Sequence, residues 1–125
     1  LDLAGWQPSD VDYLSATGLG LAALDRLEAE AYGRVFAEHL SCLYLAVHTG
    51  VIGFCEAAHG PIGAVAALQA MQDGMLPPQV NMDECWPGLE GLRRVREPTS
   101  EEVTKALVVS LAPEGTLSAV ALERA

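Results

Sequence analysis

The residues of this chain best placed to do chemistry gather around one junction. Val11-Asp12-Tyr13-Leu14-Ser15-Ala16 reads as an apolar strand, Thr17-Gly18-Leu19-Gly20 as a Gly-x-Gly turn, and the next segment as a helix carrying Asp25 and Glu28. Strand, turn and helix in that order build a site at the strand's end. Thr17 stands at its head, and a hydroxyl cannot exchange a proton near neutral pH as an imidazole can. Glu28 lies at the edge of the helix's apolar stripe, so it is expected part-buried, bonded to backbone amides or to Thr49, or else reaching water. Farther on, Cys55 and His59 are four residues apart and would share a helix face, with His48 nearby. A soft-metal site or a nucleophilic Cys55 can be drawn from them. Pro61 breaks that geometry and no paired ligands follow, so packed or surface histidines and no metal are expected.

Several elements must position these groups. Leu21 to Glu38 reads as one helix, with Leu21, Leu24, Leu27, Ala31 and Val35 as its apolar stripe. Leu40 to Val47 has the continuous apolar character of a strand buried on both faces of a parallel sheet. A second helix is expected within Cys55–Gln72, with Pro61 in its first turn and Gly74 past its end. Leu76-Pro77-Pro78-Gln79-Val80-Asn81 must be extended, because consecutive prolines forbid helix. Residues 82–100 read as a surface loop. Glu102–Leu111 and Thr116–Glu123 read as a terminal antiparallel hairpin around Ala112-Pro113-Glu114-Gly115.

Asp12-Tyr13-Leu14-Ser15-Ala16-Thr17-Gly18-Leu19-Gly20-Leu21 resembles the ketosynthase segment Asp-Tyr-(apolar)-x-Ala-His-Gly-Thr-Gly-Thr. Asp25, Glu28 and Arg34-Val35-Phe36 fall at the family's spacing, and Gln72-Asp73-Gly74-Met75-Leu76-Pro77-Pro78-Gln79-Val80-Asn81 is similar to its Gly-(apolar)-(apolar)-Pro-Pro-Thr-(apolar)-Asn segment. The resemblance covers nearly the whole chain. It implies that Thr17 replaces one catalytic histidine. Thr49-Gly50-Val51-Ile52-Gly53-Phe54 matches the family's Lys-Ser-Met-x-Gly-His, so Thr49 replaces the lysine and Phe54 the second histidine. None of these three replacements titrates near pH 7 or stabilises an enolate. Leu111, Ala112 and Gly115 fall on the family's glycine-rich gating loop, where only the glycine is kept, and they join Asp25 and Glu28 as expected pocket or structural residues.

A chain of 125 residues, half of them apolar, can bury a core. Leu1-Asp2-Leu3-Ala4-Gly5 reads as a helix's last turn, from which a missing N-terminal portion is expected. A net charge of −10 argues against nucleic acid. Arg93, Arg94 and Arg96 form the only basic patch, either a solvated loop or a docking point for an acidic carrier protein. Cys42, Cys55 and Cys85 are widely spaced and odd in number, which indicates reduced thiols. No apolar run reaches the roughly 18 residues of a membrane span, so a cytoplasmic location is expected.

The expected fold is α/β: residues 1–125 as the C-terminal half of a thiolase-like layered structure, a mixed sheet with two helices and a terminal antiparallel hairpin. The resemblance implies a catalytically degenerate subunit, similar to the chain-length factors of type II polyketide synthases. Its implied partners are an N-terminal ketosynthase-like half, an active ketosynthase and an acyl carrier protein, with no cofactor. Two alternatives stay open: a condensing or decarboxylating half that uses His48 or His59, and a free-standing binding module.

Overall fold

The computed structural model describes residues 1–125, and its centre is β1 (Tyr13–Ala16). All four of its residues are buried. They alternate between two layers, Leu14 and Ala16 in one apolar cluster and Tyr13 in the other. β1 pairs in parallel with β2 (Tyr44–Val47) on one side and with β5 (Lys105–Leu111) on the other, and β6 (Leu117–Glu123) closes the sheet antiparallel to β5. The strand order is β2-β1-β5-β6. That is the expected mixed sheet with its terminal hairpin. Strands covered on both faces need no polar alternation, which explains the unbroken apolar runs. Register sets Tyr13 opposite Tyr44 with ring centroids 5.1 Å apart. Leu14 is fully buried and contributes about 1.5–3 kcal/mol by leaving water.

α1 (Ala22–Phe36) covers one face of the sheet and α3 (His59–Asp73) the other. The stripe expected to bury α1 is not the one that does. Ala29, Tyr32 and Phe36 enter the core with Glu28, while Leu21, Leu27 and Val35 stay about half exposed or more. Leu24, Leu27, Ala31 and Val35 instead face an open groove of about 770 Å³, whose far wall is Leu107, Val109 and Leu117. Both faces of α1 are apolar at helical spacing, so periodicity alone could not choose between them. α3 lies close on β1 because Gly63 has no side chain; a Cβ there would stand 2.5 Å from Ser15 Oγ. Pro61 sits in α3's first turn, where its missing N–H leaves no helical bond unmade. Gly74, left-handed at φ 61°, ends the helix as expected.

The connections hold three differences from the sequence reading. α2 (Thr49–Ile52) adds a one-turn helix where only the end of a strand was read. Residues 40–42 form turn and the strand begins only at Tyr44, so β2 is shorter than expected. Residues 82–100 do not form a surface loop throughout: Leu89, Leu92 and Val95 are buried, and the segment ends in β4 (Thr99–Ser100), paired with β3 (Met75–Leu76). Gln79 ties it inward, its Nε2 donating to the Leu45 carbonyl at 2.5 Å and its Oε1 accepting from the Val95 N–H at 2.9 Å. At the other end of the sheet, Asp12 Oδ2 accepts from the Thr104 and Lys105 amides at 2.8 and 2.9 Å, locking the start of β1 to β5. Leu1-Asp2-Leu3-Ala4-Gly5 forms a 3-10 turn at Asp2–Ala4 closed by left-handed Gly5.

Candidate functional site

The parallel strands β1 and β2 deliver their following loops, Thr17–Gly20 and His48–Phe54, to the same carboxyl edge of the sheet. Crevices at this edge are where open α/β sheets hold ligands. Here a cavity of about 420 Å³ opens between those loops, α1 and residues 80–92. Its size is that of a small-molecule site.

Glu28 organises the edge. It reaches back from α1, is only 9% exposed, and accepts from the Thr17 N–H at 2.8 Å, the Gly18 N–H at 2.9 Å and the Tyr32 hydroxyl at 2.6 Å. Backbone amides are therefore among its partners, as one reading of the sequence held. Thr49 is not a partner; its Oγ1 donates to the Thr17 carbonyl at 2.7 Å instead. Tyr32 was missed, although residues four apart on a helix are neighbours and the Glu28–Tyr32 spacing could have shown it. Burial first, and then Glu28 beside it, holds the Tyr32 phenol far above the ordinary tyrosine range.

The three positions implied to have lost catalytic groups do not converge as polar groups. Thr17 is fully buried with its hydroxyl turned to β5, accepting from the Leu111 N–H at 2.8 Å and donating to the Val109 carbonyl at 3.4 Å. Thr49 and Phe54 line the cavity. Phe54 packs against His59 with ring centroids 5.5 Å apart and planes tilted by 45°, and His59 is 2% exposed with both ring nitrogens lacking a hydrogen-bond partner. Asp25 lines the cavity and its Oδ2 accepts from the Gly20 N–H at 3.0 Å. Its carboxyl is held above the usual range by burial first, with Glu28 adding to the rise.

The other site expectations lie elsewhere. Leu111 and Gly115 border the open groove, and Ala112 belongs to the β5–β6 turn, its N–H bonded to the Thr116 carbonyl at 2.8 Å. Cys55 and His59 do not share a helix face: Glu56 adopts φ 49° within a 3-10 turn, and α3 begins only at His59. Two members of the basic patch are engaged, Arg93 with Glu101 and Arg94 with the Asp83 carbonyl, which leaves Arg96 exposed. Met82, Cys85 and Trp86 complete the cavity from a segment that carried no sequence signal for a site. No helix is long and apolar enough to cross a membrane.

His48 gives this edge a pH dependence. Its imidazole pKa is lowered, mainly by burial and then by His59 close by. A histidine lowered in the folded state binds fewer protons there than when unfolded, so its contribution is present above about pH 6.5 and declines as the pH falls through that value. His48→Gln removes this component. Thermal melts from pH 7.5 to 5 are expected to show the variant losing less stability on acidification than the parent, and parallel curves would exclude the effect.

Residues 1–83 match the beta-ketoacyl synthase C-terminal domain. The chain is 30% identical over 121 residues to nodulation protein E of Rhizobium meliloti, covering 97% of this chain and 30% of that protein. Among solved structures, the ishigamide ketosynthase/chain length factor superposes with a TM-score of 0.85 at 27% identity, over 98% of this chain and 30% of the other. A type II polyketide synthase acyl-carrier protein in complex with its ketosynthase contains a chain of the same fold, with a TM-score of 0.85 at 24% identity over 98% of this chain and 30% of that one. The chain thus spans less than a third of the length of these relatives. Family match, sheet order and the glycine turn above Glu28 lead to one conclusion: the chain belongs to the beta-ketoacyl synthase C-terminal domain family and has its thiolase-like fold.

Proposed function

We propose that this chain is a non-catalytic, chain-length-factor-like part of a polyketide or fatty-acyl synthase, which supports an active ketosynthase and helps shape the space for the growing acyl chain. The observation that carries the reading is the use made of the three substituted positions. The Thr17 hydroxyl is taken up by the β5 backbone and the Thr49 hydroxyl by the Thr17 carbonyl, while Phe54 presents a ring to the cavity. With neither imidazole at those positions, proton exchange and oxyanion stabilisation there are both lost.

The open groove along α1 supports an N-terminal ketosynthase-like half as first partner. Its apolar walls suit an amphipathic helix, and the turn at Asp2–Ala4 lies at its rim, where Leu1 and Asp2 line it. The similarity to a ketosynthase/chain length factor, and to a ketosynthase solved with its acyl-carrier protein, supports an active ketosynthase and an acyl carrier protein as the others. Intact mass spectrometry of the purified complex, native and denaturing, tests the assembly. Co-purification with an N-terminal half and a full-length active ketosynthase is expected. A lone, folded 13.2 kDa species would favour a free-standing binding module instead.

One observation favours a second reading, in which the assembled protein is active. His59 places a buried, unpartnered imidazole against Phe54, next to a position implied to have lost one. His59→Ala in the assembled complex decides: unchanged turnover, or none in either protein, rejects catalysis through His59.

A further inference from the structure

Two hollows lie side by side on the α1 face of the sheet. The cavity at the strand ends, about 420 Å³, rests on Ala16 of β1 and on Leu45 and Val47 of β2, whereas the open groove, about 770 Å³, rests on Leu107 and Val109 of β5. One ridge of α1 divides them. Asp25 and Ala29 border only the cavity, Leu24, Ala31 and Val35 border only the groove, and Glu28 and Tyr32, one helical turn apart, border both. The Thr17 and Gly18 amides fix the Glu28 carboxylate, so the apolar part of this partition is the Tyr32 ring. The ring is held in turn. Its hydroxyl donates to Glu28 Oε1 at 2.6 Å, and it packs against Phe36 with ring centroids 6.4 Å apart. Burial, and then Glu28, keeps the phenol protonated far above the ordinary tyrosine range, so this bond persists at any working pH.

We propose that the Tyr32 ring is the end stop of the cavity for a linear acyl chain and sets the longest chain that the cavity holds in full. An acyl chain that passes the exposed rim at Glu84 and Trp86 runs along Leu45, Leu89 and Leu92 and then meets the ring. Up to that length each added methylene leaves water, which tightens binding about fourfold. Past it, a further methylene stays in water or displaces a ring anchored at both its hydroxyl and its face, and it gains nothing. The wall therefore reads length and not headgroup. This inference rests on the acyl-chain role proposed above for the identity of the guest, and it goes beyond that role by naming the residue that limits the guest.

The test titrates the full-length polypeptide with straight-chain primary alkanols from butanol to dodecanol, by calorimetry and by tryptophan fluorescence. Affinity is expected to rise about fourfold per methylene and then level off at one length. Tyr32→Leu is expected to move that limit outward by two carbons, so that the first alkanols past the parent's limit bind the variant about tenfold more tightly. Tyr32→Phe keeps the ring and is expected to keep the limit. If Tyr32→Leu does not fold, Tyr32→Met fills the site more adaptably and makes the same comparison, with an expected shift of about one carbon. Trp86→Phe is expected to abolish the fluorescence change while the heat of binding persists. The proposal is overturned if alkanols do not bind, if affinity shows no limit, if neither Tyr32→Leu nor Tyr32→Met moves it, or if Tyr32→Phe moves it as far. A fluorescence change that survives Trp86→Phe also overturns it, since that places the alkanol by Trp6 in the open groove. The subunit role fails separately: a polypeptide that purifies alone rejects that role while its length limit still moves, and an unmoved limit rejects the end stop whatever co-purifies.

Discussion

Glu28→Gln is expected to lower folding stability by about 2–4 kcal/mol, because it leaves at least one buried donor without an acceptor. The carboxylate accepts from two backbone amides and one phenol. An amide keeps one acceptor oxygen and turns an NH₂ group toward the remaining donors, so the substitution replaces attraction with a donor–donor contact. In a domain of this size the loss reads as a fall in Tm of about 10 °C. Tyr32→Phe removes only one of the three donors, and its expected cost is about 1.5 kcal/mol. Combining the two separates the clamp from general damage. If Glu28 holds Tyr32 directly, Tyr32→Phe costs less in the Glu28→Gln background than in the parent, and the double-mutant cycle gives a coupling of about 1 kcal/mol. Urea unfolding of the four proteins measures it, and strict additivity would contradict the clamp.

The same clamp shows where sequence reading reached the structure and where it stopped. Glu28 was recognisable because a carboxylate at the edge of an apolar stripe must find donors, and the amides of the preceding turn are the nearest ones in the chain. The hairpin at residues 105–123, the parallel-sheet character of β2 and the end of α3 at Gly74 were legible because each is a local pattern: turn residues between two strand-like runs, an unbroken apolar strand, a glycine after a helix. The inward face of α1 was not. Leu24, Leu27, Ala31 and Val35 repeat at the same period as Ala29, Tyr32 and Phe36, and which set meets the sheet depends on the direction in which the Gly18–Gly20 turn launches the helix. Nor could spacing show the Thr17 hydroxyl reaching β5, 94 residues ahead at Leu111. Contacts of that range follow from strand order rather than from neighbours in sequence. Met82, Cys85 and Trp86 were hidden for a related reason, since their segment has no periodicity and is held in place by Gln79 and the buried Leu89 and Leu92.

Gly18→Ala tests the turn itself, and it is expected to cost about 2–4 kcal/mol from two separable sources. The first is backbone strain: Gly18 has φ +54°, a left-handed conformation that a side chain disfavours by about 1–2 kcal/mol. The second is space. A Cβ at Gly18 would stand 2.5 Å from Val47 Cγ1 and 3.3 Å from Thr49 Oγ1. Gly20 isolates the first source, since it shares a positive φ of +78° but a Cβ there meets nothing within 4 Å. Gly20→Ala is therefore expected to cost about 1 kcal/mol, strain alone. Val47→Ala isolates the second: trimming the clashing methyl makes the Gly18→Ala/Val47→Ala pair more stable than the two single costs add up to, by about 1–2 kcal/mol. Equal losses at Gly18 and Gly20 would show that close packing of the turn on β2 does not matter. The consequence for the site follows from Thr49, whose hydroxyl bonds the carbonyl of Thr17 directly beneath this turn. Pushing Thr49 outward breaks the one side-chain hydrogen bond that joins the β1 and β2 loops, and the cavity loses the wall those loops make together.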